Sequence, residues 1–149
     1  MGPEETRHLA AADFFTLPHQ NPARENALET TELLIGVRIP TPATSAVSTY
    51  LKVTDREAWT HAEVSAAVVL HVDGETIRTA SVVLGGVAPI PWRLSEVEEF
   101  LRDQPLSPDV ASQAGARAIA HARPLAKNGH KLPMTSAVVE RALMRLAPG

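Results

Sequence analysis

Two runs dense in β-branched residues, AEVSAAVVLHV (residues 62–72) and ETIRTASVVLG (residues 75–85), flank Asp73-Gly74. This is the strongest short-range hairpin signal a sequence offers, so an antiparallel pair sits at the middle of the chain and the rest must fold against it. Upstream, SAVSTYLKV (residues 45–53) sets Ala46, Ser48, Tyr50 and Lys52 on one face and Val47, Thr49, Leu51 and Val53 on the other, the period of a half-buried strand. ELLIGVRIP (residues 32–40) alternates well enough to predict another strand ending at Pro40, whose nitrogen donates nothing to a ladder. Val83 is expected on the core face, where an aspartate would damage folding.

After Pro91 the apolar spacing becomes helical. Ser95 and Glu98 have the spacing of a capping box, and Leu94, Val97, Phe100 and Leu101 recur on one stripe. Ser107 before Pro108 starts a second, alanine-rich helix expected to run to about Arg123, where Pro124 stops it. A third begins near Pro133 and Thr135, turns Val138, Val139, Leu143 and Leu146 inward, and ends at Pro148-Gly149. Strands followed by helices predict an α+β fold: an antiparallel sheet of three or four strands packed on three helices.

Residues 1–31 carry Pro18, Pro22 and scattered charges without a sustained period, and read as an extended arm ahead of a domain over residues 32–149. Two of the three phenylalanines, Phe14 and Phe15, lie in that arm and need a surface to rest on, which hints at a partner. A net charge of -3 offers no attraction to nucleic acid or to an acidic membrane. The absence of cysteine removes thiolate catalysis and any iron–sulfur cluster ligated by these residues. No run of 18 apolar residues and no apolar leader core is present.

Motifs that would carry chemistry are few. Gly85-Gly86 lacks the spacing of a phosphate-binding loop, and Pro89 and Pro91 delete donors such a loop needs, so the pair reads as a bend ending a strand. The six histidines show no metal-ligand spacing, and Ser65 lies in no nucleophile elbow. One stretch, YLKVTDREAWTHAEVS, gathers Lys52, Arg56 and Trp59 among acids between apolar strands. Such a loop either touches an aromatic or anionic ligand, or places Trp59 over the core edge among solvated charges.

TELLIGVRIP, STYLKVTDREAWTHAEVSAAVVL, IRTASVVLGGVAPIPWR and ARPLAKNGHKLPMTSAVVERAL resemble, in order and spacing, the C-terminal domain of the FAD-binding subunit of molybdenum hydroxylases. That family includes carbon monoxide dehydrogenase flavoproteins, xanthine dehydrogenases and aldehyde oxidoreductases. The resemblance runs from about Asp13 to Leu146, and LGGVAPIPWR and NGHKLP are its most specific parts. The arm DFFTLPHQNPARENALETTELL is most similar to the aldehyde oxidoreductase branch.

The resemblance implies FAD held chiefly by a flavin-binding region preceding this domain, with molybdopterin and iron–sulfur clusters on partner subunits and no catalysis by this chain alone. By position it puts Leu34 beside the isoalloxazine ring and Lys52 near the flavin, and lays residues 54–61, with Trp59, over the flavin's approach. It implies a cytoplasmic complex, or a periplasmic one carried by a partner's signal. A second reading stays open: a stand-alone, self-associating interaction module that kept the fold without the redox role.

Overall fold

The structure, a computed structural model, describes residues 5–56 and 58–147. The chain forms two compact units, Met1–Thr41 and Pro42–Gly149.

The first unit is not an extended arm. A single helical turn, α1 (Ala11–Phe14), leads into a loop that folds back on itself: Thr16 N donates to Glu25 O at 3.0 Å and Ala27 N to Phe14 O at 2.9 Å. Local side-chain acceptors shape the return, with Asn21 Oδ1 taking the Ala23 amide and Asn26 Oδ1 the Leu28 amide, both at 3.0 Å. These turns have no periodicity, so a search for repeating apolar spacing passes over them. Phe14 and Phe15 pack edge to face, their centroids 5.2 Å apart. Arg7 clamps the loop, its Nε and Nη2 donating to the two Glu32 carboxylate oxygens at 2.7 and 2.6 Å and Nη2 also to Ala27 O.

The strand expected over residues 32–40 is not formed. Leu33, Ile35, Val37 and Ile39 are exposed, as is Leu34 on the alternate side, so the alternation buries neither of its faces. The seam between the units falls after Thr41, downstream of the expected domain start at residue 32.

The second unit is the α+β layer that the order of periods predicts. Four antiparallel strands, β1 (Ala46–Val53), β2 (Val64–Asp73), β3 (Thr76–Gly85) and the two-residue β4 (Trp92–Arg93), lie in sequential order. Helices α2 (Ser95–Leu101), α3 (Pro108–Ala118) and α4 (Lys131–Met144) follow. Val64, Ala66, Val68 and Leu70 of β2 and Val82 and Leu84 of β3 enter one apolar cluster with Val97, Leu101, Ala111, Ala114, Val139 and Leu143 from the helices. Leu51 and Val53 of β1 pack against it from the edge.

Two details correct the sequence reading. Val83 pairs with Ala67 and Arg93 on the opposite face and is only half-buried, whereas its neighbours Val82 and Leu84 point into the core. The register skips one residue between His71–Thr79 and Val72–Ile77, so Arg78 is a bulge that inverts the inward parity of β3 and brings Ile77 inward too. Arg78 itself bridges Asp73 at 3.0 Å and Asp103 at 3.1 Å.

The capping box does not close. Ser95 is the first helical residue rather than the cap, and Glu98 turns away from the helix end. Its Oε1 accepts the Val82 amide at 2.9 Å and its carboxylate pairs with Arg93 at 2.8 Å. A ladder two residues long cannot occupy this amide of β3, and the helix supplies the acceptor instead. The second helix keeps its expected cap, Ser107 Oγ accepting the Val110 amide behind Pro108, but ends at Ala118, before His121. At its centre Gly115 allows α4 close: a Cβ there would stand 2.6 Å from Ser136 O.

Candidate functional site

Among the described residues of this unit no helix packs on the face of the sheet turned away from α2, α3 and α4, although Ser65 at its end is buried. Ser48, Tyr50 and Lys52 of β1 share it with Ala67 of β2 and Val83 of β3, and Tyr50 is 58% exposed. Small and apolar side chains in the middle of a sheet, with an aromatic and a lysine at its edge, make a flat surface suited to covering by another layer.

Lys52 ends this face and organises the loop beyond it. Its ammonium donates to Thr60 O at 2.8 Å, Arg56 Nη2 donates to Trp59 O at 3.1 Å, and Glu63 N returns to Val53 O at 2.9 Å. Two cations are thus directed at carbonyls of the loop. Trp59 itself adopts a left-handed backbone, φ 56°, and the residue is 96% exposed. A bulky residue there costs on the order of 1 kcal/mol, which the two cation–carbonyl bonds help to offset. Trp59 therefore does not sit over the core edge; it is presented to solvent. An ammonium has three donors, so Lys52 can hold the loop and still meet an acceptor above the sheet.

On the opposite side of β1 a groove runs between the edge strand and α4, floored by Leu51, Val53, Met134 and Met144 and rimmed by Lys52, Arg141 and Arg145. Leu34 belongs to the other unit, where it is 53% exposed beside Leu33 and Ile35 in irregular backbone.

Gly85-Gly86 is a bend. Gly86 is left-handed, φ 76°, and a Cβ on it would stand 2.7 Å from Glu63 O and 2.9 Å from Ala62 O. Oxygens crowd this glycine, and Lys131 Nζ donates to its carbonyl at 3.0 Å, so the position is shaped by acceptors and unsuited to a phosphate. That bond joins LGGVAPIPWR to NGHKLP, two motifs 45 residues apart. Lys131 also stands 3.6 Å from Glu63. Neither contact has a short-range sequence signal; the separate distinctiveness of the two motifs was the only pointer.

Among the described residues no group of three or more His, Asp or Glu side chains is arranged to hold a metal ion. No helix there is long and apolar enough to cross a membrane.

An α+β layer with an exposed sheet face, a lysine-held loop and a glycine bend makes up the second unit. Residues 49–146 match the CO dehydrogenase flavoprotein C-terminal domain. The chain belongs to that family and is homologous to the C-terminal domain of the FAD-binding subunit of molybdenum hydroxylases.

It is 35% identical over 133 residues to the aldehyde oxidoreductase FAD-binding subunit PaoB of Escherichia coli K12, covering 86% of this chain and 37% of that one. To the carbon monoxide dehydrogenase medium chain of Afipia carboxidovorans it is 33% identical over 149 residues, covering 97% and 49%. The structure of a Cu,Mo-CO dehydrogenase superposes with a TM-score of 0.84 at 32% identity, covering 97% of this chain and 50% of that one. The chain therefore spans half or less of the length of these relatives.

Proposed function

We propose that this chain serves as the C-terminal part of the FAD-binding subunit of a molybdopterin-dependent oxidoreductase of the aldehyde or xanthine dehydrogenase type. In this reading it closes one side of the flavin site and docks the flavoprotein beside subunits carrying iron–sulfur clusters and molybdopterin. The observation that carries the proposal is the bare sheet face with its lysine-held loop in a member of this family. The exposed apolar run Leu33–Ile39 supports it, since such a run is normally covered in a working assembly.

FAD fits these residues at its ring and not at its phosphates. Gly86 is crowded by carbonyl oxygens, so a pyrophosphate would be held elsewhere in the subunit. Lys52 has donors to spare for a ring acceptor, and Trp59 offers an exposed indole for stacking or for limiting access. Bound flavin would supply the exchange between one-electron and two-electron carriers. The part of this chain is to position the ring and exclude water from its edge.

The test is purification of the tagged chain from its native host, with partner chains identified by mass spectrometry. Recovery of flavin-binding, iron–sulfur and molybdopterin polypeptides with bound FAD is the expected outcome. A discrete homo-oligomer with none of them would overturn the proposal in favour of a self-associating module. Expressed alone, residues 1–149 should purify without stoichiometric flavin absorbance. In the assembled enzyme, Lys52→Ala should alter flavin reduction or acceptor kinetics while leaving the fold intact, and an unchanged rate would remove Lys52 from the site.

A further inference from the structure

A cleft of about 660 Å³ opens on the helical side of the unit, away from the bare sheet face. Its walls come from the segment after β3, from β4 and the start of α2, from the end of α3 and the turn beyond, and from the first turn of α4. The volume is that of a small-molecule site, and the lining is mainly apolar, as such sites are. Leu84, Leu94 and Val97 close its inner end, and Trp92, 43% exposed, gives it a flat wall.

The charged groups at this cleft are unequal in sign. Arg93, Arg117, Arg123 and Lys131 line it against a single carboxylate, Glu96, which His121 approaches to 3.2 Å. This lies in a chain of net charge -3, so positive charge is concentrated here against the overall balance. Arg93 is committed to Glu98, and Lys131 to Gly86 O with Glu63 nearby. Arg117 stacks on Phe100, its guanidinium carbon 4.3 Å from the ring centroid, which fixes the group without neutralising it. Among the described residues neither Arg117 nor Arg123 has a carboxylate partner.

We infer that this cleft binds a small organic anion, a planar apolar body carrying one carboxylate, with the body against Trp92 and the carboxylate at Arg117 and Arg123. An apolar wall with two unneutralised guanidinium groups at its rim favours that class over a neutral aromatic, which would leave both cations unused, and over a bare inorganic anion, which would leave the apolar wall wet. The site is separate from the face assigned to the flavin and does not depend on that assignment.

The chain has two tryptophans, so the indole region of a ¹⁵N-HSQC spectrum of the full chain reports on this cleft and on the loop separately. Titration with 1-naphthoate should shift the Trp92 indole signal saturably and leave that of Trp59 in place. Arg123→Glu, a change in an exposed turn, should weaken binding by about tenfold or more without loss of spectral dispersion. The neutral 1-naphthamide should bind at least about tenfold more weakly than the naphthoate. No saturable Trp92 shift, equal binding of the amide, or an Arg123→Glu variant that binds as well as the parent would each overturn the inference.

Discussion

Lys131 donates its ammonium to the carbonyl of Gly86 at 3.0 Å, tying the first turn of α4 to the bend that ends β3. The bond depends on Gly86 holding a left-handed backbone against the carbonyls of Ala62 and Glu63. Gly86→Ala must both leave φ 76° and push a methyl into those oxygens, and the expected loss is more than about 2 kcal/mol. Gly129→Ala, where a Cβ meets nothing within 4 Å, should be neutral or stabilise by up to about 1 kcal/mol. Urea denaturation of the two variants decides it, and equal midpoints would show that the bend carries no constraint.

The same residues show what was legible in the sequence. The hairpin over Asp73-Gly74, the β1 alternation and the Ser107-Pro108 helix start are signals between near neighbours, and each forms where expected. Glu98 has the spacing of a capping box, yet its carboxylate serves Val82, 16 residues away, because the short β4 leaves a β3 amide to be satisfied. Residues 32–40 have the composition of a strand but form none, because pairing is a property of the fold rather than of the segment. At the candidate site, the cluster of Lys52, Arg56 and Trp59 was visible in the sequence. That both cations would turn onto loop carbonyls and leave the indole bare was not, because the backbone acceptors have no signature in residue type.

Glu98 offers a second test. Glu98→Leu leaves the Val82 amide without an acceptor in a buried setting and strips Arg93 of its partner, at an expected cost of about 1–3 kcal/mol. Glu98→Gln keeps an oxygen for that amide and should recover a substantial part of the loss. If the two variants unfold at the same urea concentration, the amide contact contributes nothing and only the Arg93 pair matters.

The Arg7–Glu32 clamp makes the first unit sensitive to acid. The Arg7 hydrogen bonds, followed by that from the Glu29 amide, hold the Glu32 carboxyl at about 2, below its ordinary 4.5. A carboxyl depressed on folding contributes stability that is present in full above about 4.5 and is lost as the pH falls through about 2. NMR titration of the Glu32 carboxyl carbon should find the low value in the parent chain and a value climbing toward 4.5 in Arg7→Met. Protection of the Ala27 amide, which bonds to Phe14 O, should fall in the same acid window. A Glu32 titration unaffected by Arg7→Met would show that the clamp is not formed in solution.

The sharpest test of the sheet's orientation uses two adjacent valines. Val82 is fully buried against the helices, and Val83 lies half-buried on the other face between Ala67 and Arg93. An aspartate at residue 82 would bury a carboxylate with no partner in an apolar cluster, costing more than about 3 kcal/mol and abolishing the cooperative transition of a domain this small. An aspartate at residue 83 would point to the face away from the helices, where the side chain is only half-buried, and should cost about 1 kcal/mol or less in the isolated chain. Thermal unfolding followed by circular dichroism separates the two. A Val83→Asp variant that fails to fold while Val82→Asp survives would invert the assignment of the two faces. If the Val83→Asp chain folds as expected and yet fails to assemble with a flavin-binding partner, the bare face is the one that the partner covers.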